Sequence, residues 1–156
     1  MDLARFIAGL SRLWARRNAR SKPRSRLLLP PHLALGRHGE RLAARFLQRE
    51  HGFKILHRNF RSRHGGEIDL VCRDRAANAL VFVEVKTRRS DAFGPPHLAI
   101  TLAKRQRLIA GARHWLRLLD SPEIIYRFDV VEVIVEDRPR LTLIRNAFSV
   151  PDDVYL

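Results

Sequence analysis

The period of hydrophobic and polar positions changes several times along the chain, and each change marks an element. From residue 35, LALGRHGERLAARFLQREHG sets Leu35, Leu42, Ala43, Phe46 and Leu47 on one stripe and arginines at 37, 41, 45 and 49 on the other. With Gly52 as a stop, this spacing predicts a short amphipathic helix. FKILHRNF, EIDLVCRD and LVFVEVKT then read as three strands, with a turn around Asn78 between the last two, and consecutive strands of this kind predict a meander. Helical spacing returns over 97–119 through Leu98, Leu108, Ile109, Ala112, Trp115, Leu116 and Leu119. A second, longer helix should therefore pack back on the sheet. YRFDVVEVIVE and, after a turn at Arg138, Pro139 and Arg140, LTLIRNAF supply two further strands. The fold class is α/β, in the order helix, three strands, helix, two strands.

Upstream the pattern is of another kind. Leu3, Phe6, Ile7, Leu10, Leu13 and Trp14 fall at helical spacing with Arg5, Arg12, Arg16 and Arg17 among them, and ARSKPRSRLLLPPH follows, broken by Pro23, Pro30 and Pro31. Residues 1–34 are read as a basic extension and linker, 35–150 as one domain and 151–156 as a tail. The extension fits either a basic amphipathic helix lying on an anionic surface or a loosely docked tail. Charge enlarges the picture. The chain carries 30 Lys and Arg against 16 Asp and Glu, a net +14, half of it in residues 1–34 and half beyond. An excess of this size, mostly arginine, favours a polyanionic partner, since guanidinium groups fork onto phosphate oxygens and release counterions; the plain alternative is a solubilising surface. The single Cys72 excludes a disulfide framework or a multi-cysteine zinc site and points to a reducing compartment. Neither a membrane-spanning run nor a signal-peptide pattern is present, so a cytoplasmic protein is expected, with a membrane as partner only through the N-terminal helix.

Within this frame GGEIDLVCRDRAANALVFVEVKTR, residues 65–88, poses a problem in electrostatics. Facing residues of an antiparallel hairpin have a constant number sum, and a turn centred between Ala76 and Ala77 sets Asp69 opposite Glu84. Opposed side chains have Cβ atoms roughly 4.5–5.5 Å apart, and like charges there repel. A cation should stand between them. Lys86, on the same strand face as Glu84 and Phe82, is one candidate, and a divalent metal ion is the other. Val81, Val83 and Val85 form the opposite face. Glu40, seven residues before Leu47, lies within about 20° of that apolar position on a helix and so borders the buried stripe as a further carboxylate.

A helix with a glutamate, a strand with Asp, a strand with Glu-x-Lys, then a helix and another strand resembles the core of the PD-(D/E)XK nuclease superfamily. More closely, GRHGERLAARFL, GGEIDLVCRD, LVFVEVKTR and YRFDVVEV resemble the YraN-like family of small bacterial proteins over about residues 35–150. The resemblance implies a restriction-endonuclease-like core, a mixed central sheet flanked by helices. It further implies a metal site at Asp69 and Glu84, Lys86 beside the attacking water, and Glu40 as an additional ligand. Asp69 follows Ile68, so the Pro-Asp pair of the wider superfamily is absent, as in the closer family. The chemistry is consistent with this. Phosphodiester hydrolysis needs an oriented water and compensation of charge on phosphate, which divalent ions held by carboxylates provide. Mg2+, or Mn2+ in its place, suits a sparse all-oxygen site. A buried structural charge cluster of the same three residues is the alternative.

Further candidates are nucleic-acid contacts. Arg61 and Arg63 lie in the basic stretch RNFRSRH, while Arg88, Arg89 and Lys104 follow the acidic pair. Gly65 and Gly66 are either a close approach to phosphate or a simple turn. Asp129 is read as the structural partner of an arginine in preference to an outer member of the site, and Cys72 as a buried small hydrophobe. His64 and His97 are candidate general acids by proximity in sequence alone. Three function classes follow. The first is a metal-dependent endonuclease acting on DNA, on branched or damaged structures, in preference to RNA. The second is a nucleic-acid-binding module of the same fold without cleavage, and the third an interaction protein docking through its basic N-terminal helix. Cutting both strands of a duplex together would call for a homodimer.

Overall fold

The computed structural model describes residues 30–63, 65–90, 100–119 and 124–150. The N-terminal helix expected over 3–17, Pro23, His64, His97, Leu98 and the tail 151–156 lie outside the described residues. Two helices, α1 (Pro31–Arg49) and α2 (Leu102–Leu119), enclose a sheet of β1 (Lys54–Arg61), β2 (Glu67–Asp74), β3 (Ala79–Arg88), β4 (Tyr126–Ile134) and β5 (Arg140–Phe148). The strands stand in the sheet in their chain order. β1, β2 and β3 form the antiparallel meander, β4 runs parallel to β3 after the α2 crossover, and β5 returns antiparallel. This mixed sheet between helices is the expected α/β order, compatible with a restriction-endonuclease-like core.

Pro31, assigned by its sequence to the linker, instead opens α1. A proline in the first turn loses no helical hydrogen bond, because the N–H it lacks has no intrahelical acceptor there. The helix ends at Arg49, and Gly52 takes the left-handed conformation beyond it, at φ 67°. All four arginines of the polar stripe are exposed, while the buried face uses Gly39, Ala43, Ala44 and Leu47. Small residues dominate that face because α1 lies close to the strands below it. Its core joins Ala43, Ala44, Leu47 and Phe53 to Leu70, Cys72, Val81, Val83, Val131 and Val133.

The opposite face is larger and aromatic: Phe60, Leu80, Phe82 and Phe128 of the sheet meet Leu108, Ala112, Trp115 and Leu119 of α2. The alternation along β3 thus separates the two cores as the sequence predicts, odd positions toward α1 and even positions toward α2. Cys72 is buried and unpaired, as expected of a small hydrophobe.

Gly66 and Gly111 set the approach of α2 to β2. A Cβ on Gly66 would strike the Gly111 backbone, and one on Gly111 would stand 2.8 Å from Ile68 Cγ1. Gly65, at φ 79°, makes the turn before them. Gly66→Ala should therefore destabilise by about 1–3 kcal/mol, since backbone cannot yield cheaply to an added methyl. Gly36→Ala, at a helical site with open space around it, should stabilise by about 0.5–1 kcal/mol. Urea denaturation of the two variants beside the parent protein measures both signs.

Candidate functional site

The β2–β3 ladder runs from Asp74–Ala79 to Leu70–Val83 and stops. β2 stays paired with β1 as far as Glu67–Arg61, and β3 with β4 as far as Arg88–Ile134. The two central strands therefore part just where Asp69 and Glu84 follow, and the backbone groups freed by the parting need other partners. Asp69 supplies one, its Oδ2 accepting a hydrogen bond from the Val85 N–H at 2.8 Å. Every pair of the ladder has the number sum that a turn centred between Ala76 and Ala77 requires, and its next step sets residue 69 opposite residue 84. Both residues are buried, at 8% exposure each.

Their carboxyl groups are close enough to sense one another's charge. Burial and then the charge of Asp69 push the Glu84 carboxyl up to about 8, against the opposing pull of Lys104. The cation that meets this pair comes from α2: Lys104 Nζ stands 3.1 Å from Glu84 Oε2. That is an ion-pair distance, and it places the buried Oε2 opposite the ammonium group. Lys86 is exposed beyond Glu84 on the strand and lines, with Lys104, Arg107 and Thr101, a cavity of about 410 Å³ opening beside Glu84. The residue expected between the carboxylates is thus at the rim, and a lysine named only as a nucleic-acid contact is at the centre.

Glu40 belongs to α1, on the other side of the sheet, and still senses Asp69 and Glu67. Burial is the main cause of its raised pKa, moderated by a hydrogen bond with Asn59. Asn59 went unnoticed in the sequence. It lies between the Arg58–Leu70 and Phe60–Ile68 pairs, across from Asp69, with φ at 53°. Asparagine tolerates this left-handed conformation better than most residues, so Asn within a strand pattern was the available signal. For Lys104 the signal was a lysine in the first turn of a helix with no acidic residue there, at the end where the helix dipole disfavours a cation.

The other basic candidates separate. Arg88 is half-buried and paired with Glu132 at 3.7 Å, which makes it part of the β3–β4 framework. Arg61, Arg63 and Arg89 are exposed, Arg61 bonding Glu67 at 3.1 Å. Asp129 is a structural partner of arginine as expected. It accepts from Arg127 Nε and from the Asn146 N–H, both at 3.0 Å through Oδ1. Asp74 beside it accepts from Ala77, Arg127 and Arg145. Burial alone would raise the Asp74 pKa, but the Ala77 N–H and the Arg127 guanidinium outweigh it and hold the carboxyl below its ordinary value. The sheet thus has two buried acidic clusters. One, at the β2–β3 turn end, is paired with arginines, and the other, at the parting of the strands, is repulsive and is met by Lys104.

Among the described residues no group of three or more His, Cys, Asp and Glu is close enough to hold one metal ion. The donor set is instead two carboxylates, which fits Mg2+ or Mn2+, ions that keep several waters and need only one or two protein carboxylates. Glu40 stands outside the pair as an electrostatic neighbour.

The molecule is thus an α/β sheet that parts over an acidic pair, with a basic cavity beside it. The chain belongs to Uncharacterised protein family UPF0102, whose profile matches residues 39–133. It is 46% identical over 118 residues to a UPF0102 protein of Trichlorobacter lovleyi, covering 74% of this chain and 91% of the relative. A UPF0102 protein of Nocardia farcinica is 53% identical over 102 residues, covering 65% and 77% respectively. One of Rhodococcus opacus is 44% identical over 119 residues, covering 75% and 98%. The family match spans Glu40, Asp69, Glu84, Lys86 and Lys104. No helix among the described residues is long and apolar enough to cross a membrane.

The sign of the Glu84 shift has a consequence for stability. A carboxyl whose pKa is raised on folding stabilises the fold fully below its unfolded value of 4.5, and that contribution is lost as pH rises through about 8. Glu84→Gln removes the charge and keeps the shape. The variant should match the parent protein near pH 4.5 and exceed its stability at pH 9 by on the order of a few kcal/mol. Urea titrations at the two pH values test this, and an absent gain at pH 9 removes the buried repulsion.

Proposed function

We propose that the protein is a divalent-metal-dependent endonuclease that hydrolyses phosphodiester bonds in nucleic acid, DNA before RNA. The observation that carries this reading is the buried pair Asp69 and Glu84, opposed where the strands part and met by a lysine, with a cationic cavity alongside. A structural pair of this kind would be expected to be closed by arginine, as Asp74 and Asp129 are. Asp69 and Glu84 would hold Mg2+ or Mn2+, and the metal would supply Lewis-acid stabilisation of charge developing on the phosphate.

The remaining work falls to side chains. Lys86 and Arg107 line the cavity and would hold the phosphate by charge-assisted hydrogen bonds, with Lys86 near enough in sequence and face to Glu84 to orient the attacking water. The Val85 N–H fixes the Asp69 carboxylate against rotation. Exposed Arg61, Arg63 and Arg89 offer contacts to the backbone on either side, which position nucleic acid without reading its bases. Branched or damaged DNA is the substrate class proposed, and a second copy of the chain would bring a second centre to the opposite strand.

The test is cleavage of labelled single-stranded, duplex and branched DNA and RNA by the full chain with Mg2+, Mn2+ or EDTA. Metal-dependent cleavage is expected, and Asp69→Ala and Glu84→Ala should each lose roughly a thousandfold in rate, the equivalent of several kcal/mol of metal assistance, while still binding. Binding without cleavage by the parent protein, or variants that cut equally well, would replace the nuclease by a nucleic-acid-binding module.

A further inference from the structure

We propose that Lys104 is the resident counter-ion of the acidic centre, and that its ammonium group must leave Glu84 for a divalent cation to occupy the Asp69–Glu84 pair. This deepens the reading above and rests on it.

Lys104 opens α2 from an unfavourable position. Its N–H bonds Thr101 at the start of the helix, by 3.0 Å to the carbonyl oxygen and 3.3 Å to Oγ1. A cation in this first turn meets the positive end of the helix dipole, and the turn contains no acidic residue to offset it. Compensation comes from the sheet face beneath the helix. Glu84 Oε2 lies 3.1 Å from Nζ, and Asp69 and Glu67 add their fields at longer range. The side chains of Lys104 and Glu84 are 25% and 10% exposed, so the pair is shielded from water and its attraction exceeds that of a surface pair.

Lys104 therefore stands where a metal bound to Glu84 would need the oxygen. An ammonium and a divalent ion sharing this half-buried space would repel, and one excludes the other. Lys104 also has somewhere to go. It lines the same cavity as Lys86 and Arg107, and a turn of its flexible stem carries the ammonium from Glu84 toward the place where a phosphate would sit. Release from the carboxylate thus supplies a phosphate contact, so metal and phosphate favour each other's binding through one side chain.

The experiment is titration of the full chain with Mn2+, followed by the EPR signal of the free ion, for the parent protein, Lys104→Met, Lys104→Arg and the exposed-site control Arg49→Gln. Lys104→Met should bind Mn2+ at least tenfold more tightly, Lys104→Arg should stay near the parent because the charge is kept, and Arg49→Gln should change affinity less than twofold. Lys104→Gln repeats the neutralisation should the methionine variant be unstable. Unchanged or weaker binding by the neutral variants, with the parent protein binding Mn2+, overturns the counter-ion role and leaves the metal site standing. Silence from parent and variants alike overturns both. A parent protein that is silent beside a neutral variant that binds, with binding lost again on adding Glu84→Gln, supports the proposal in its strongest form.

Discussion

The parting of β2 from β3 after Leu70–Val83 is the constraint on which the site depends. A continuous ladder would have consumed the Val85 N–H and pressed two carboxylates together with nothing to separate them. Because each strand keeps its outer neighbour, β1 for β2 and β4 for β3, the sheet can open in the middle without losing its edges. The opening admits the Asp69 carboxylate to the Val85 N–H, and α2 brings Lys104 to Glu84. The close contact of Gly66 with Gly111 holds that helix against β2, so two residues without side chains determine how near the cation lies to the acids.

Electrostatics then distinguishes two acidic clusters of similar burial. Asp74 and Asp129 are met by Arg127, Arg145 and backbone donors, their charges are matched, and the arrangement closes the far end of the sheet. Asp69 and Glu84 repel each other and are met by Lys104. Folding stability does not favour such an arrangement, because a buried charge without full compensation costs several kcal/mol. The cavity beside the pair is lined by three cationic side chains, Lys86, Lys104 and Arg107.

Periodicity carried most of the fold. Elements with strong alternation or a clear helical stripe, such as β2 and α2, lie where the pattern places them, since a side chain's face is fixed by its position in a strand or turn. Boundaries shifted by a few residues, as at Pro31, where the same residue serves a linker or a helix start, and at the N-terminal end of α2, which is helical from Leu102 where the spacing pointed to 97. The opposition of Asp69 and Glu84 was likewise legible, because hairpin register depends only on where the turn is centred. The pairing of Arg88 with Glu132 was not legible in the sequence, because Glu132 stands on a strand that is parallel and 44 positions away.

The sequence by itself determined which residues alternate, which strands turn back on each other and which acids would meet across the hairpin, all of which follow from local geometry. Only the tertiary structure decided which cation meets those acids. The α2 crossover, not strand periodicity, carries Lys104 to Glu84 while Lys86 is left at the rim. It also decided that Asn59 and Glu40, on different elements, share a hydrogen bond beside Asp69. Contacts between distant elements depend on how closely helices and sheet approach, and that distance is set by packing of the whole core, which no short stretch of sequence encodes.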